Sequence, residues 1–128
     1  MEWLGAIFLL LIALVGAFQV MMLWKSRQLE GCRLPDWPFA DAAERLQEQR
    51  MLLYFHSPRC APCRRMAPIV DELVAEGRAL ALDISSAPEI ARRFNVRATP
   101  TTLLVERGTI VKVLLGFQSR ERLRELLN

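Results

Sequence analysis

No internal repeat, no low-complexity tract and no surplus of proline (7) or glycine (6) marks this chain. Collagenous, low-complexity and disordered classes are thereby excluded. The 128 residues are too few for two full domains, a large barrel or a multi-span transporter. Arginine outnumbers lysine fifteen to two, for a formal net charge of +3, but the arginines are dispersed and no surface aromatics interleave with them. A nucleic-acid groove wants stacking partners, so no nucleic-acid partner is expected. Solvated helix faces, some turned toward anionic lipid, account for such a distribution. Cysteine is scarce too, at three: Cys32, Cys60 and Cys63.

Charge is absent from residues 3–24, and Glu2 is the only charged residue before them. These 22 residues would make a helix of roughly 33 Å, enough for a hydrocarbon core of about 30 Å. Trp3 and Trp24 close its ends, where indoles favour the membrane–water interface. A cleaved signal peptide would want a basic leader, a shorter apolar run and a small-x-small exit; here Met21, Met22, Leu23 and Trp24 fill that exit. Residues 1–24 are therefore read as a retained transmembrane anchor, which makes membrane lipid a partner. Lys25, Arg27 and Arg33 follow against one Glu30, and the positive-inside tendency puts the next domain in the cytoplasm. A single-pass protein of a bacterial inner membrane is expected, with a periplasm-facing domain as the alternative.

Residues 25–37 read as a polar linker and residues 38–128 as one α/β domain. Asp41 with Glu44 predicts a capped helix over 41–49; residues 51–56 have strand character. A helix over 63–76 carries Pro68, expected to kink it, and Gly77 ends it. A strand over 79–84 follows, then a helix opened by a Ser86–Glu89 capping box. Two strands, 101–106 and 109–115, join across Arg107–Gly108, and after Gly116 a helix capped by Ser119 closes the chain. Strands separated by helices imply parallel pairing, with the last pair antiparallel.

The chemistry concentrates in residues 55–68, FHSPRCAPCRRMAP. Cys60 and Cys63 lie at a strand-to-helix junction. There the positive end of the helix dipole and its unpaired N–H groups favour a thiolate. Cys60, the more exposed, is the expected nucleophile; Cys63, one turn inside, is placed to resolve a mixed disulfide. Pro62 stiffens the loop. Arg59, Arg64 and Arg65 add positive charge; next to them His56 is read first as the end of the strand, with a base that tunes the site as the alternative. Cys32 and His56 would complete a Cys₃His zinc set, but Cys32 is 28 residues from Cys60 and structural zinc wants two close ligand pairs. No metal and no cofactor beyond a redox-active Cys60–Cys63 disulfide are expected.

These residues resemble the thioredoxin family, over about residues 38–128. The match is carried by Cys60-Ala61-Pro62-Cys63, by Pro68, by Ala98-Thr99-Pro100-Thr101 and by Gly116. The resemblance implies a thioredoxin-like fold, a central mixed sheet flanked by helices. It also implies a cis Thr99–Pro100 bond facing the cysteines, and a substrate surface from Thr99, Pro100, Ala61, Pro62 and Gly116. Protein disulfides would be the substrates, and a thioredoxin-reductase-like or membrane thiol system the electron donor. Several family features are replaced. Arg59 and His56 stand where tryptophans are usual, Tyr54 where a buried acid is usual and Ala81 where its lysine partner is usual. Pro38-Phe39-Ala40 is too short for the family's first strand. The 36 residues between Cys63 and Pro100 leave no room for the insertion of cytochrome-maturation relatives. The expected function is a membrane-tethered thiol–disulfide oxidoreductase. The alternative is an assembly or binding module whose cysteine pair is a redox-sensitive latch or a soft-metal site.

Overall fold

Residues 51–55 are all buried, which only a strand covered on both faces can achieve. In the computed structural model, which describes residues 1–28, 30–33 and 40–128, this strand is the centre of the fold. The elements are α1 (Glu2–Arg27), α2 (Ala40–Glu48), β1 (Arg50–His56), α3 (Ala61–Ala75), β2 (Ala79–Asp83), α4 (Pro88–Arg93), β3 (Thr101–Glu106), β4 (Thr109–Leu115) and α5 (Arg120–Leu127). After α1 this is the order read from the sequence.

The sheet order is β2-β1-β3-β4. β2 lies parallel to β1, as a crossover through α3 requires, and β3 and β4 form the expected hairpin across Arg107 and Gly108, both at positive φ. The crossover expectation fails for β3, which does not pair with β2 but runs antiparallel to β1. The reason is length. Six-residue α4 is only about 9 Å long, too short to carry the chain back along the sheet, so β3 starts at the end where β2 stops. Thr101 thus pairs with Phe55, and Asp83 with His56.

Alternation along β1 divides the core. Leu52 and Tyr54 face α3 and α5, packing with Met66, Val70, Leu73, Leu104, Leu114 and Leu123. Met51, Leu53 and Phe55 face the other layer, with Leu46 of α2, Ala91 of α4, Phe94 and Ile110. Ile110 and Leu114 are an even number of residues apart yet serve opposite faces. A register shift opposite Leu104 and Val105 leaves Val111 outside the ladder and exposed, which reverses the alternation.

Two local expectations need correction. α2 begins at Ala40, so Asp41 lies in its first turn instead of capping it. α4 has Ala87 as its N-cap with no side-chain cap bond; Ser86 Oγ donates instead to the Asp83 carbonyl at 3.1 Å, closing the turn after β2. α3 continues through Pro68 to Ala75. Ser119 does cap α5, accepting from the Arg122 N–H. Among the described residues no strand precedes β1, and β2 is a sheet edge; Pro38 and Phe39 lie outside the described residues.

α1 has a mean hydropathy of 2.6 over its most apolar stretch and is long and apolar enough to cross a membrane. Part of the expected linker is not free. The Gly31 N–H donates to the Ile110 carbonyl at 2.6 Å, the Ile110 N–H donates to the Cys32 carbonyl at 2.9 Å, and Arg33 bridges to Thr109. Residues 30–33 thereby cover one end of the β4 edge. Leu123, fully buried between α5 and the sheet, should be costly to truncate. Leu123→Ala is expected to lower stability by about 2–5 kcal/mol, read from urea unfolding of the full chain in detergent micelles.

Candidate active site

β1 ends at His56, and four residues later α3 begins with Cys60 as its N-cap, in extended conformation (φ −89°, ψ 110°). Cys60 Sγ accepts the Cys63 backbone N–H at 3.3 Å, so a sulfur takes the place usually held by a capping oxygen. Negative charge on Cys60 is met by that N–H and by the helix dipole. Pro62 sits in the first turn, where its missing N–H leaves no gap in the helix. Ala61 is exposed and Cys60 half-buried, whereas Cys63 is 4% exposed. The two cysteines form a disulfide with Cα atoms 5.2 Å apart. Cys60 is therefore the more exposed of the two, as expected from the motif.

The Thr99–Pro100 peptide is cis, as the resemblance implied. Ser57 Oγ and Thr99 Oγ1 lie 3.2 Å apart, joining this loop to the loop that leads into Cys60. The Gly116 N–H donates to the Pro100 carbonyl at 2.9 Å, and Gly116 has φ +79°, which favours glycine. Arg65 stacks its guanidinium over the Phe117 ring at 5.0 Å, linking α3 to the same loop. Cys60, Cys63, Thr99, Pro100 and Gly116 are thus gathered at one end of the sheet. Arg59 and Arg64 are exposed beside the pair.

His56 projects to the α3 side of the sheet, stacked on Tyr54 with ring centroids 5.5 Å apart and planes 17° from parallel. The Tyr54 hydroxyl donates to the Cys63 carbonyl at 3.3 Å. Burial, and secondarily the charge of Asp71, push the Tyr54 phenol above its ordinary pKa. Asp83, across from His56, is held below the usual carboxylate range by Ser85, first through its hydroxyl and then its N–H, with the charge of His56 adding to the effect. A cavity of about 180 Å³ opens here, lined among others by Tyr54, His56, Ser57, Cys63, Asp71 and Ala81. Ser57 and Asp71 were not singled out from the sequence. Their only signal was position, Ser57 between strand and motif and Asp71 two helical turns beyond Cys63.

Cys32 does not join this group. Its carbonyl pairs with Ile110, and its thiol lies 3.1 Å from the Gln28 carbonyl. Ile110 is six residues from Gly116 along β4, roughly 20 Å at strand rise. Among the described residues, no three His, Cys, Asp or Glu side chains are grouped to hold a metal ion.

With this geometry in hand, comparison with known proteins is decisive. A thioredoxin family model matches residues 37–128. The chain belongs to the thioredoxin family. Thioredoxin of Staphylococcus aureus is 34% identical over 93 residues, covering 70% of this chain and 89% of that protein. Two solved structures agree in fold. A mutant thioredoxin from Halobacterium salinarum matches at a TM-score of 0.60 and 23% identity, over 77% of this chain and 88% of that one. Mitochondrial thioredoxin 3 of Saccharomyces cerevisiae in its oxidised form matches at 0.56 and 22%, over 68% and 85%. Family membership together with the closed cysteine pair makes this chain a thiol–disulfide oxidoreductase. Members of the thioredoxin family act on protein disulfides and are reduced by thiol or reductase systems.

Tyr54 gives this thioredoxin-family domain a measurable pH signature. A raised phenol pKa means the folded chain keeps a proton that the unfolded chain releases. The stabilisation is complete below the ordinary tyrosine value and is lost as pH rises through the raised one. Tyr54→Phe should cost about 0.5–1.5 kcal/mol near neutrality through the lost hydrogen bond. Between about pH 8 and about pH 11 the variant should lose less stability than the wild type, read from urea midpoints in detergent micelles.

Proposed function

We propose that this protein is a membrane-tethered reductant or exchanger of protein disulfides, held by α1 with its redox domain on the cytoplasmic side. In the forward reaction the Cys60 thiolate attacks a substrate disulfide and one substrate sulfur leaves as thiolate. Cys63 then attacks the Cys60 sulfur, the second substrate sulfur leaves, and the Cys60–Cys63 disulfide remains. Two electrons pass to the substrate, and a thioredoxin-reductase-like or membrane thiol donor restores the dithiol.

One observation carries the reading: an accessible Cys60 at a helix N-terminus, bonded to a Cys63 that is 4% exposed. In this reading Ala61, Pro62, Thr99, Pro100 and Gly116 supply the surface for substrate backbone, while Arg59 and Arg64 favour thiolate at Cys60. The tether rests on the uncharged length of α1 and on Lys25, Arg27 and Arg33 at its end.

Cys63→Ser should accumulate mixed disulfides through Cys60, seen as reductant-sensitive adducts on gels, while Cys60→Ser should form none. Full biological activity in a chain lacking both cysteines would instead support a binding module. A reporter fused after Asn128 should be active in its cytoplasmic form; an exported reporter would reverse the orientation and make a membrane thiol donor the electron source.

A further inference from the structure

Resolution of a mixed disulfide needs Cys63 as thiolate, and a thiol only 4% exposed cannot simply release its proton into bulk water. Tyr54 reaches Cys63, but its hydroxyl donates to the Cys63 carbonyl and burial keeps the phenol protonated. It is a donor and not an acceptor. The cavity of about 180 Å³ beside Cys63 has Ser57 as well as charged side chains in its lining and is large enough for a few waters at about 30 Å³ each. His56 from the end of β1 and Asp71 from α3 both line it, with Arg64.

Of these, His56 is the better placed to take and return a proton. Imidazole is the one side chain that ordinarily changes charge between pH 5 and 8, and this chain has a single histidine. Its ring is held by stacking on Tyr54. Its cross-strand neighbour Asp83 is kept ionised by Ser85 and is a counter-charge for an imidazolium. Asp71 lies exposed on α3. The charged and titratable groups around His56 are Tyr54 on its own strand, Asp83 on β2, and Cys63, Arg64 and Asp71 on α3.

We propose that His56 accepts the Cys63 proton through water in this cavity, so that the chain's only histidine is the acid–base partner of the resolving thiol. The inference rests on the oxidoreductase reading above. The Cys63 S–H bond breaks and its proton passes by water to the imidazole. The thiolate attacks Cys60 Sγ, the Cys60–substrate bond breaks, and the electron pair departs on the substrate sulfur. That thiolate is protonated from solvent, and the imidazolium returns its proton to water. The pair is oxidised and the substrate reduced by two electrons.

The test uses the full reduced chain in detergent micelles with a disulfide-linked model peptide. Acid quenching and mass spectrometry follow the mixed disulfide from pH 5.5 to 9, and attack by Cys60 is timed separately in a Cys63→Ser background. His56→Gln is expected to slow resolution by about 100-fold near neutrality and to flatten its pH profile. Asp71→Asn should keep the wild-type profile. In His56→Ala, added imidazole should restore part of the rate, which a purely structural histidine would not allow. Resolution at the wild-type rate in His56→Gln overturns the proposal. So does attack slowed as much as resolution, since the histidine would then act on Cys60. Loss of the pH profile in Asp71→Asn would assign the proton to the carboxylate instead. If the wild-type chain forms no mixed disulfide with the peptide, the oxidoreductase reading falls and takes this proposal with it.

Discussion

β1 exchanges hydrogen bonds with β2 on one side and β3 on the other, and the position of its last residue fixes everything that happens at the redox site. At that end the chain leaves the sheet, turns over four residues and enters α3 with Cys60 as its cap. Because β2 finishes there and β3 begins there, Asp83 and Thr101 arrive at the same level as His56 and Phe55. A short α4 is what permits this. A longer crossover would have carried the chain back to the opposite end, and Thr99 and Pro100 would have entered the sheet far from the cysteines.

The same constraint explains how a half-buried, accessible nucleophile and a buried resolving thiol coexist three residues apart. A helix N-terminus offers free N–H groups at its tip and a packed face one turn in. Cys60 takes the tip. Cys63 falls on the face shared with Met66 and Val70, which is pressed against the sheet. The α3 face is further pinned from outside by α5, where Arg124 pairs with Glu76 at 2.8 Å and Arg120 with Glu72 at 3.0 Å. Such exposed pairs contribute little energy; Leu123 and Leu126 beneath them do more.

Tyr54 stands where the family's buried acid is usual, beside the cavity of about 180 Å³. The phenol fills the layer between β1 and α3, remains neutral and closes a hydrogen bond to the helix that bears Cys63. Polar chemistry moves outward by two residues along β1, to His56 at the rim of a solvent-accessible cavity.

Much of this was legible in the residues because it depends on local rules. The uncharged run, the strand-like 51–56 segment, the Arg107–Gly108 hairpin, the Ser119 cap and the cysteine pair at a strand–helix junction all follow from periodicity, caps and spacing within about a dozen residues. The direction of β3, the reversed alternation around Val111, the docking of residues 30–33 on β4 and the meeting of Ser57 with Thr99 did not follow. Each is a contact between segments far apart in sequence, decided by how short elements such as α4 span the sheet and by which edges remain open. The sequence by itself determined that a reactive cysteine pair would cap a helix. Only the tertiary structure decided which side chains, Tyr54, His56 and Asp71 among them, would stand around the buried one, because their approach is set by packing across the sheet and not by position along the chain.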